Sequence, residues 1–320
     1  MIDVVDYLPD PGVDAELADL GYTAVHGWPD QRPITASLVR SWLRPTGTTA
    51  TTLVMHRRAD GRLLAAAALR WPATLEATGR LWGPIVHPDA RGNGLGSALL
   101  ATLAEILAAR PGVRVRTGEI PETRTAGWSL FERAGWHGSG TSCLLKRVLP
   151  ADGGDPVGVP VRTIRFGEYV DRALASLFGA ARPHLGHATA RDTYTRWTAD
   201  ARYTPDGLLL ADGPDGLLGA ALVYPLSHVG RDEPSEALLA DVIGSRQLDP
   251  AAAASVRSAL VAAALDAGTR MGAAVARAVV DDPDLAATLR AAGFTDADQI
   301  RYYSPPAAAR PRARVPSVTS

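Results

Sequence analysis

The hydrophobic and polar positions of the chain follow two periods, one typical of helices and one typical of strands. The clearest helical stretch runs from about 94 to 109, and its leucines at 95, 99, 103 and 107 recur on one face. Apolar runs bounded by turn residues predict strands. The predicted strands are 50–57, 63–70, 81–86, 113–117 and 143–148, and the other predicted helices are 13–24, 34–42 and 121–133. This order of elements predicts a mixed α/β fold, classed as α+β.

A second copy of the same order follows a stretch rich in Pro, Gly and Asp. An offset of 158 residues places Trp136 on Phe294, and it moves the helix at 94–109 onto an Ala-rich segment at 252–267. We interpret this match as an internal duplication. It divides the chain into a first domain at 1–149, a linker at 150–159, a second domain at 160–304 and a tail at 305–320 that its composition predicts to be disordered.

Composition narrows the class of protein. The 320 residues suit two domains of about 150 residues each. The formal net charge is -1, so binding to nucleic acid is not implied. The single cysteine, Cys143, allows no intrachain disulfide, and the acidic amino terminus does not resemble a signal peptide. These features predict a cytoplasmic protein with no membrane partner. The abundance of Ala and Arg, with Lys146 as the one lysine, suggests a bacterial source.

The most informative stretch begins at Val86, where an apolar strand turns through glycines into the predicted helix. Glycines at 92, 94 and 96 allow the backbone to approach an anion closely. The first amides of the helix and its dipole attract negative charge, and Arg91 adds a cation. No Lys-Ser or Lys-Thr follows the glycines, and their spacing differs from Gly-x-Gly-x-x-Gly, which excludes a Walker loop and a dinucleotide fingerprint. The stretch therefore predicts a site for a diphosphate-bearing carrier.

The string Arg91-x-x-Gly94-x-Gly96, with Val86-x-Pro88 just upstream, resembles the acyl-CoA signature of the GNAT superfamily of N-acyltransferases. The resemblance covers about 40–148 well and 160–303 only in plan. It implies two tandem GNAT-like domains, each with a mixed, mainly antiparallel central sheet flanked by helices. It also implies acetyl-CoA as the donor and the amine of a small molecule as the acceptor.

The resemblance assigns carrier-binding residues by position. The diphosphate falls to the amides of Arg91, Gly92, Asn93, Gly94, Leu95, Gly96 and Ser97. The pantetheine arm falls to the backbone of the fourth strand at Ile85, Val86 and His87. Because main-chain atoms make these contacts, side chains there are free to vary, and the imidazole of His87 is expected to lie at the rim.

Two carboxylates are candidates for the general base. Glu119 and Glu122 flank the exit of the fifth strand, beside the expected thioester. Two alternatives stay open: Glu122 caps the following helix at Pro121, or the amine arrives neutral and needs no base. Many relatives carry a tyrosine as general acid where this chain has Phe131. Either Ser129 or water protonates the leaving thiolate, or no acid is needed because a free thiolate is a tolerable leaving group.

The acceptor is expected at the loop between the first two helices, at 25–32. Trp28 offers an aromatic wall there, and Asp30 offers a counter-charge for an ammonium group. The alternative is that Trp28 is a hydrophobic plug between the helices. No spacing of the seven histidines indicates a metal site.

The second copy lacks the anion-binding residues. The same offset places Asp249 at the position of Arg91 and Pro250 at that of Gly92. A carboxylate repels a phosphate, and proline removes an amide donor. We therefore expect the second copy not to bind the carrier, and to be structural or to supply acceptor contacts.

Two other functions stay open from the sequence. The first is aminoacyl transfer from a charged tRNA, which the absence of a basic stripe argues against. The second is a sensor that binds acetyl-CoA without turnover, which Phe131 permits. The oligomeric state and the acceptor are not indicated.

Overall fold

The computed structural model describes residues 2–28, 31, 34–44, 48–72, 78–110, 113–149, 159–164, 170–181, 195, 197–200, 202–214, 216–226 and 235–306. Asp30, most of the predicted linker and the tail from 307 lie outside these residues.

The first part of the chain contains seven strands and four helices within the described residues. These are β1 (Ile2–Asp6), α1 (Pro11–Val25), α2 (Ala36–Leu43), β2 (Thr48–Arg57), β3 (Leu63–Pro72), β4 (Gly79–Val86), α3 (Leu95–Ala108), β5 (Val115–Thr117), β6 (Ile120–Pro121), α4 (Thr125–Arg133) and β7 (His137–Val148). A 3-10 turn at Pro88–Ala90 lies between β4 and α3.

The second part repeats this order. Its described elements are β8 (Val161–Thr163), α5 (Asp171–Ala181), β9 (Leu208–Gly213), β10 (Gly216–Leu226), β11 (Glu236–Gly244), α6 (Pro250–Arg270), β12 (Val275–Val280), α7 (Pro283–Ala291) and β13 (Thr295–Ser304). The offset of 158 residues places the first residue of α4 on the first residue of α7, and the first residue of β7 on that of β13. The fold is therefore a tandem repeat of one α/β plan.

Two mixed sheets form the frame of the molecule. The first has the order β1-β2-β3-β4-β5, and the second has the order β6-β13-β7-β12-β11-β10-β9-β8. Among the strands that the structure describes, β4 with β5 and β11 with β12 are parallel, and the other pairs are antiparallel. The mixed, mainly antiparallel sheets flanked by helices confirm the predicted fold class.

The last strands of the two copies are exchanged. β7 belongs to the first copy by chain order, yet it pairs with β12 of the second copy, from Val148 opposite Val275 to Cys143 opposite Val280. β13 lies between β6 and β7, and the amide of Tyr303 donates to Oγ1 of Thr117 on β5 at 2.8 Å. Each copy thus completes its sheet with a strand from the other, which brings second-copy side chains beside β5.

Separate cores cover the two faces of the first sheet. Leu81 and Val86 of β4 face α3 and α4, where Leu99, Leu100 and Leu103 of α3 are buried. Trp82 and Ile85 face the opposite side, where α1 and α2 pack. The N-cap of α1 is Asp10, whose carboxylate accepts hydrogen bonds from the amides of residues 12 and 13, both at 2.9 Å. Apolar burial on both faces holds β4 in place.

The predicted elements are present, but several ends differ, and the largest difference is at β7, which begins at 137 rather than 143. β5 begins at 115 rather than 113. The helix predicted at 94–109 spans 95–108, and the strands predicted at 50–57 and 63–70 extend by two residues at one end each. β1 and β6 were not predicted, and α4 begins at 125 rather than 121 because Pro121 pairs with Ile300 of β13. That partner is 179 residues away, so local pattern does not reveal it.

α6 is long and apolar enough, by length and composition, to cross a membrane. It packs against β9, β10 and β11, with Leu260 and Val261 fully buried, as the central helix of the second copy. A buried core helix of a folded domain passes the same test of composition.

Candidate active site

A gap opens between β4 and β5. The two strands are in register from Gly79 opposite Val115 to Leu81 opposite Thr117, and the amide of Gly118 donates to the carbonyl of Leu81 at 2.6 Å. Beyond this point the chain leaves β4 and enters β6, which pairs with β13 instead. One edge of β4 is therefore unpaired within the described residues from Trp82 onward.

Val86 directs its amide into this gap. The amide of His87 donates to the carbonyl of Leu64 on β3 at 2.8 Å, and Ile85 lies opposite Ala66. In an antiparallel ladder alternate residues bond to the same neighbour, so the amides of Ile85 and His87 point to β3. Of the three backbone contacts predicted on this strand, only that of Val86 has its amide toward the gap.

The start of α3 presents open amides. Its N-cap is Gly94, at φ 76° and without a side-chain cap, and Gly92 has φ 81°. A Cβ on either glycine would project into open space. In the described part of the chain, the amides of 92–97 donate to no carbonyl or side chain, whereas the amide of Arg91 donates to the carbonyl of Pro88 at 3.2 Å. Six amides at the positive end of a helix form a cradle for an anion.

Gly96 has a different role from the other two glycines. A Cβ at Gly96 would lie 3.0 Å from Cδ2 of Leu130 on α4, so its absence allows the two helices to approach. From Ser97 onward, a groove of about 940 Å³ follows α3 and is bounded by the last turn of α4 and by Trp136. The cradle thus continues into a groove wide enough for the rest of a nucleotide-linked carrier.

Two arginines tie the cradle to the end of α1. Arg91 donates from Nε to the carbonyl of Val86 at 3.3 Å and from a terminal nitrogen to that of Ala24 at 3.2 Å. Arg124 donates to the same carbonyl of Ala24 at 3.2 Å, and its guanidinium lies 5.2 Å from the centre of the Trp28 ring. Arg124 was not predicted. It fell inside the helix predicted at 121–133, so the local pattern gave no signal for these contacts, whereas the structure places it at the N-cap of α4.

His87 and Asn93 support the loop through their side chains. Nε2 of His87 lies 2.8 Å from Arg62, and its Nδ1 accepts the amide of Asp89 at 3.3 Å. Nδ2 of Asn93 donates to the carbonyl of Ala90 at 3.3 Å. These bonds fix the turn that precedes the open amides.

The equivalent place in the second copy is filled. α6 begins at Pro250, the position of Gly92, so the residues that form a loop in the first copy form a helical turn here. The carboxylate of Asp249 accepts the amide of Ala252 at 2.9 Å and caps the helix. One of the donors that an anion would need is therefore already taken.

Removing that cap tests the difference between the copies. Asp249→Ala is expected to lower the free energy of unfolding by about 1 kcal/mol, because an amide of α6 loses its acceptor. The affinity for acetyl-CoA is expected to stay unchanged, since the cradle is elsewhere. Chemical denaturation and calorimetric titration measure the two quantities, and a changed affinity would contradict the assignment to the first copy.

Glu119 lies at the exit of β5 on the face that α1 and α2 cover. Its carboxylate is 3.5 Å from Arg277 of β12, and the side chain of Arg277 is 1% exposed against 34% for Glu119. A buried cation from the second copy thus positions a carboxylate that remains open to solvent. Arg277 was not predicted, because the strand exchange brings it here.

Glu122 has a different environment. Its carboxylate forms an ion pair with Arg301 of β13, and this hydrogen bond raises the pKa of Arg301. The guanidinium of Arg301 lies 4.7 Å from the centre of the Trp128 ring. The N-cap of α4 is Arg124, so Glu122 does not cap that helix as the alternative interpretation supposed.

Phe131 is buried beside a tyrosine of the exchanged strand. Its ring is 3% exposed and lies 5.8 Å from that of Tyr303, at 16° between their planes. The hydroxyl of Tyr303 donates to Oε1 of Glu132 at 2.9 Å, and burial raises its pKa. The residue at the position of the usual tyrosine acid is therefore a buried phenylalanine without a hydroxyl.

The loop between α1 and α2 contacts the exchanged strand β7. Lys146 of β7 donates to the carbonyl of Gln31 at 3.3 Å and to Oε1 of Glu236 at 3.0 Å. Trp28 of the same loop lies against Arg124, whereas Asp30 is outside the described residues. The predicted acceptor loop thus faces charged groups that sequence reasoning missed. Among the described residues, no cluster of three His, Cys, Asp or Glu could hold a metal.

A strand pair that diverges beside an uncapped helix offers an anion site next to a free strand edge. The family model described as Acetyltransferase (GNAT) family matches residues 17–136. The chain is 34% identical over 146 residues to a mycothiol acetyltransferase of Frankia casuarinae, covering 42% of this chain and 40% of that relative. It is 31% identical over 231 residues to one of Sanguibacter keddieii, covering 67% and 70%. The chain belongs to the GNAT acetyltransferase family.

Solved structures share the whole plan. A GCN5-related N-acetyltransferase of Sphaerobacter thermophilus matches with a TM-score of 0.67 at 22% identity, covering 95% of each chain. A tandem GNAT protein from the clavulanic acid biosynthesis pathway matches with a TM-score of 0.71 at 20% identity, covering 95% of this chain and 98% of that one. The tandem GNAT fold is therefore established. The matches to the first two curated relatives span only 40% and 50% of those relatives' lengths.

Proposed function

We propose that the protein transfers an acetyl group from acetyl-CoA to the amine of a small molecule, and that the chemistry takes place in the first copy. The observation that carries this proposal is the set of six open amides at 92–97, beside the unpaired edge of β4. Residues 1–149 would supply the reaction site. The second copy, at 160–304, would supply strand β13 and part of the acceptor cleft.

The cradle amides would bind the diphosphate, and the free edge of β4 would hold the pantetheine arm as an added strand. The amide of Val86 would donate to the thioester oxygen and stabilise the charge that develops there. Glu119 would accept a proton from the acceptor's ammonium group, directly or through a water molecule. The amine nitrogen then bonds to the acetyl carbon as the carbon–sulfur bond breaks, and the thiolate leaves.

The acceptor would enter from the face opposite α3. Trp28 and Asp30 of the loop between α1 and α2 would line its path, and Arg277 would hold Glu119 in place. The names of the curated relatives support acetyl as the transferred group. Cytoplasmic location and a small-molecule acceptor remain predictions.

A calorimetric titration with acetyl-CoA and an assay of thiol release with a panel of amines test the proposal. We expect one acetyl-CoA bound per chain and release of CoA that depends on the amine. Binding to the second copy, or no binding at all, would contradict it.

Phe131 supports one alternative, a sensor that binds acetyl-CoA without turnover, because the usual acid is absent. The same assay separates the two, since a sensor binds acetyl-CoA and releases no thiol with any amine. Transfer from a charged tRNA would instead require binding that weakens steeply with salt.

A further inference from the structure

Three arginines lie side by side on the first sheet. Arg70 of β3 is opposite Arg80 of β4, and Arg80 is opposite Arg116 of β5. Residues in register point to the same face of a sheet, so the three side chains form a row. Leu81 faces α3 and Trp82 faces the other side. Because successive side chains of a strand alternate, Arg80 points away from α3, and the row lies on the face that α1 and α2 cover.

This row is costly in the absence of an anion. Like charges on neighbouring strands destabilise a sheet. Burial and the charge of Arg80 lower the pKa of Arg70 to about 10, and the same causes lower the pKa of Arg116. The Nε atoms of Arg70 and Arg116 are buried with no hydrogen-bond partner in the described part of the chain. Buried donors of this kind need an acceptor.

The groups around the three arginines do not neutralise their charge. Arg70 donates to the carbonyl of Trp42 at 2.8 Å, and the guanidinium of Arg116 stacks 3.8 Å from the centre of the Tyr302 ring. Asp281 is near enough to favour the charged form of Arg116. Within the described residues, neither Arg80 nor Arg116 forms an ion pair with a carboxylate, and Arg80 is exposed.

Gly140 of β7 leaves room for the Arg116 guanidinium. A Cβ at this position, where φ is 150°, would lie 3.0 Å from a terminal nitrogen of Arg116. Gly140 is opposite Tyr302, so the exchanged strands form the wall against which this cation is held.

The row lies next to the proposed reaction site. The β4–β5 ladder ends one residue beyond Arg80 and Arg116, and Glu119 follows Arg116 by three residues, at most about 10 Å along the chain. Glu119, Arg80 and Arg116 all act electrostatically on the phenol of Tyr302. A cationic pair and the candidate base thus surround one side chain, on the face opposite the cradle.

We propose that Arg80 and Arg116 bind an oxyanion of the acceptor, either a carboxylate or a phosphate. This inference rests on the proposed function, because it assigns the acceptor cleft to this face. The acceptor is then a small amine that also carries an anionic group.

Matched pairs of amines test the inference. The pairs are 4-aminobutyrate with 4-aminobutyramide, and O-phosphoethanolamine with ethanolamine. For the wild type we expect a higher kcat/KM for the anionic member of at least one pair, and that pair identifies the oxyanion. Arg80→Gln and Arg116→Gln are expected to lower that value about 10- to 100-fold and to leave the neutral member unchanged.

Arg58→Gln is the matched control, because it removes one exposed positive charge from the turn between β2 and β3, outside the row of arginines. It is expected to change neither member of a pair. Arg116→Lys retains the charge without the planar fork, and it should recover part of the preference if loss of charge is the cause. Should Arg116→Gln fail to fold, the exposed Arg80 provides the same test.

Calorimetric titration with glutarate and with methylphosphonate, neither of which has an amine, separates this inference from acetyl transfer. Binding that Arg80→Gln and Arg116→Gln weaken supports the anion site even if no amine is acetylated, in which case only the proposed function fails. An anion held at the α3 amides should keep its affinity in these variants, since main-chain donors at 92–97 would bind it. Acetylation of neutral amines as fast as anionic ones, unchanged in both variants, overturns the inference.

Discussion

Gly94→Asp is expected to weaken the binding of acetyl-CoA at least 100-fold while the protein stays folded. The new carboxylate would stand at the N-cap of α3 and accept amides that now point into open space. It would also repel a diphosphate about 4 Å away by roughly 1 to 4 kcal/mol, depending on the local dielectric. Since about 1.4 kcal/mol is a factor of ten in affinity, the two effects together give a loss of this size. Calorimetric titration measures it.

Gly61→Asp is the matched control for backbone strain. Gly61 lies in the turn between β2 and β3 at φ 87°, and a Cβ there also meets open space. An aspartate at either glycine pays for a left-handed conformation, of order 1 kcal/mol, but only the one at Gly94 stands in the cradle. We expect similar losses of thermal stability and a loss of affinity in Gly94→Asp alone. If Gly94→Asp binds acetyl-CoA within threefold of the wild type, the cradle assignment is wrong.

The cradle could be predicted because the information is local. A glycine with positive φ and a helix start lie within a few residues of each other, so spacing alone indicates their geometry. α3 was placed within one residue at each end for the same reason. The role of Arg91 is less local, since its partners include the carbonyl of Ala24 on another helix.

The exchange of β7 and β13 could not be predicted. Both strands end a copy of the same plan, so by chain order either could complete either sheet. The choice depends on contacts across more than 100 residues, such as the pairing of Tyr302 with Gly140. Sequence pattern predicts that a last strand exists in the first copy, and tertiary packing decides where it lies.

The same exchange explains what was missed around the base. Glu119 was named from its place after a predicted strand, which is local information. Its partner Arg277 lies 158 residues later and comes close only because β7 and β13 join the two sheets. Lys146 and Glu236 meet for the same reason. The sequence pattern of one copy therefore does not reveal the site residues that the other copy contributes.

Glu119→Gln is expected to lower kcat about 100- to 10,000-fold, the usual range for loss of a general base. Glutamine keeps the size of the side chain and can still accept a hydrogen bond from Arg277, so the cleft should keep its shape. The affinity for acetyl-CoA should not change, because the cradle is formed by the backbone of another loop. Steady-state kinetics with a saturating amine, together with calorimetric titration of acetyl-CoA, measures both quantities.

Glu122→Gln is the matched control, since it makes the same change three residues later. Its carboxylate pairs with Arg301 and is half exposed, so we expect kcat to fall less than threefold. A pH profile adds a second criterion: if Glu119 only removes the proton of the ammonium group, Glu119→Gln should recover nearly full activity at a pH above the pKa of the amine, where the amine is already neutral. Full recovery there would assign Glu119 to proton removal from the free ammonium group alone. An unchanged kcat at neutral pH would show that the base lies elsewhere, and that Arg277 positions a carboxylate with no part in the chemistry.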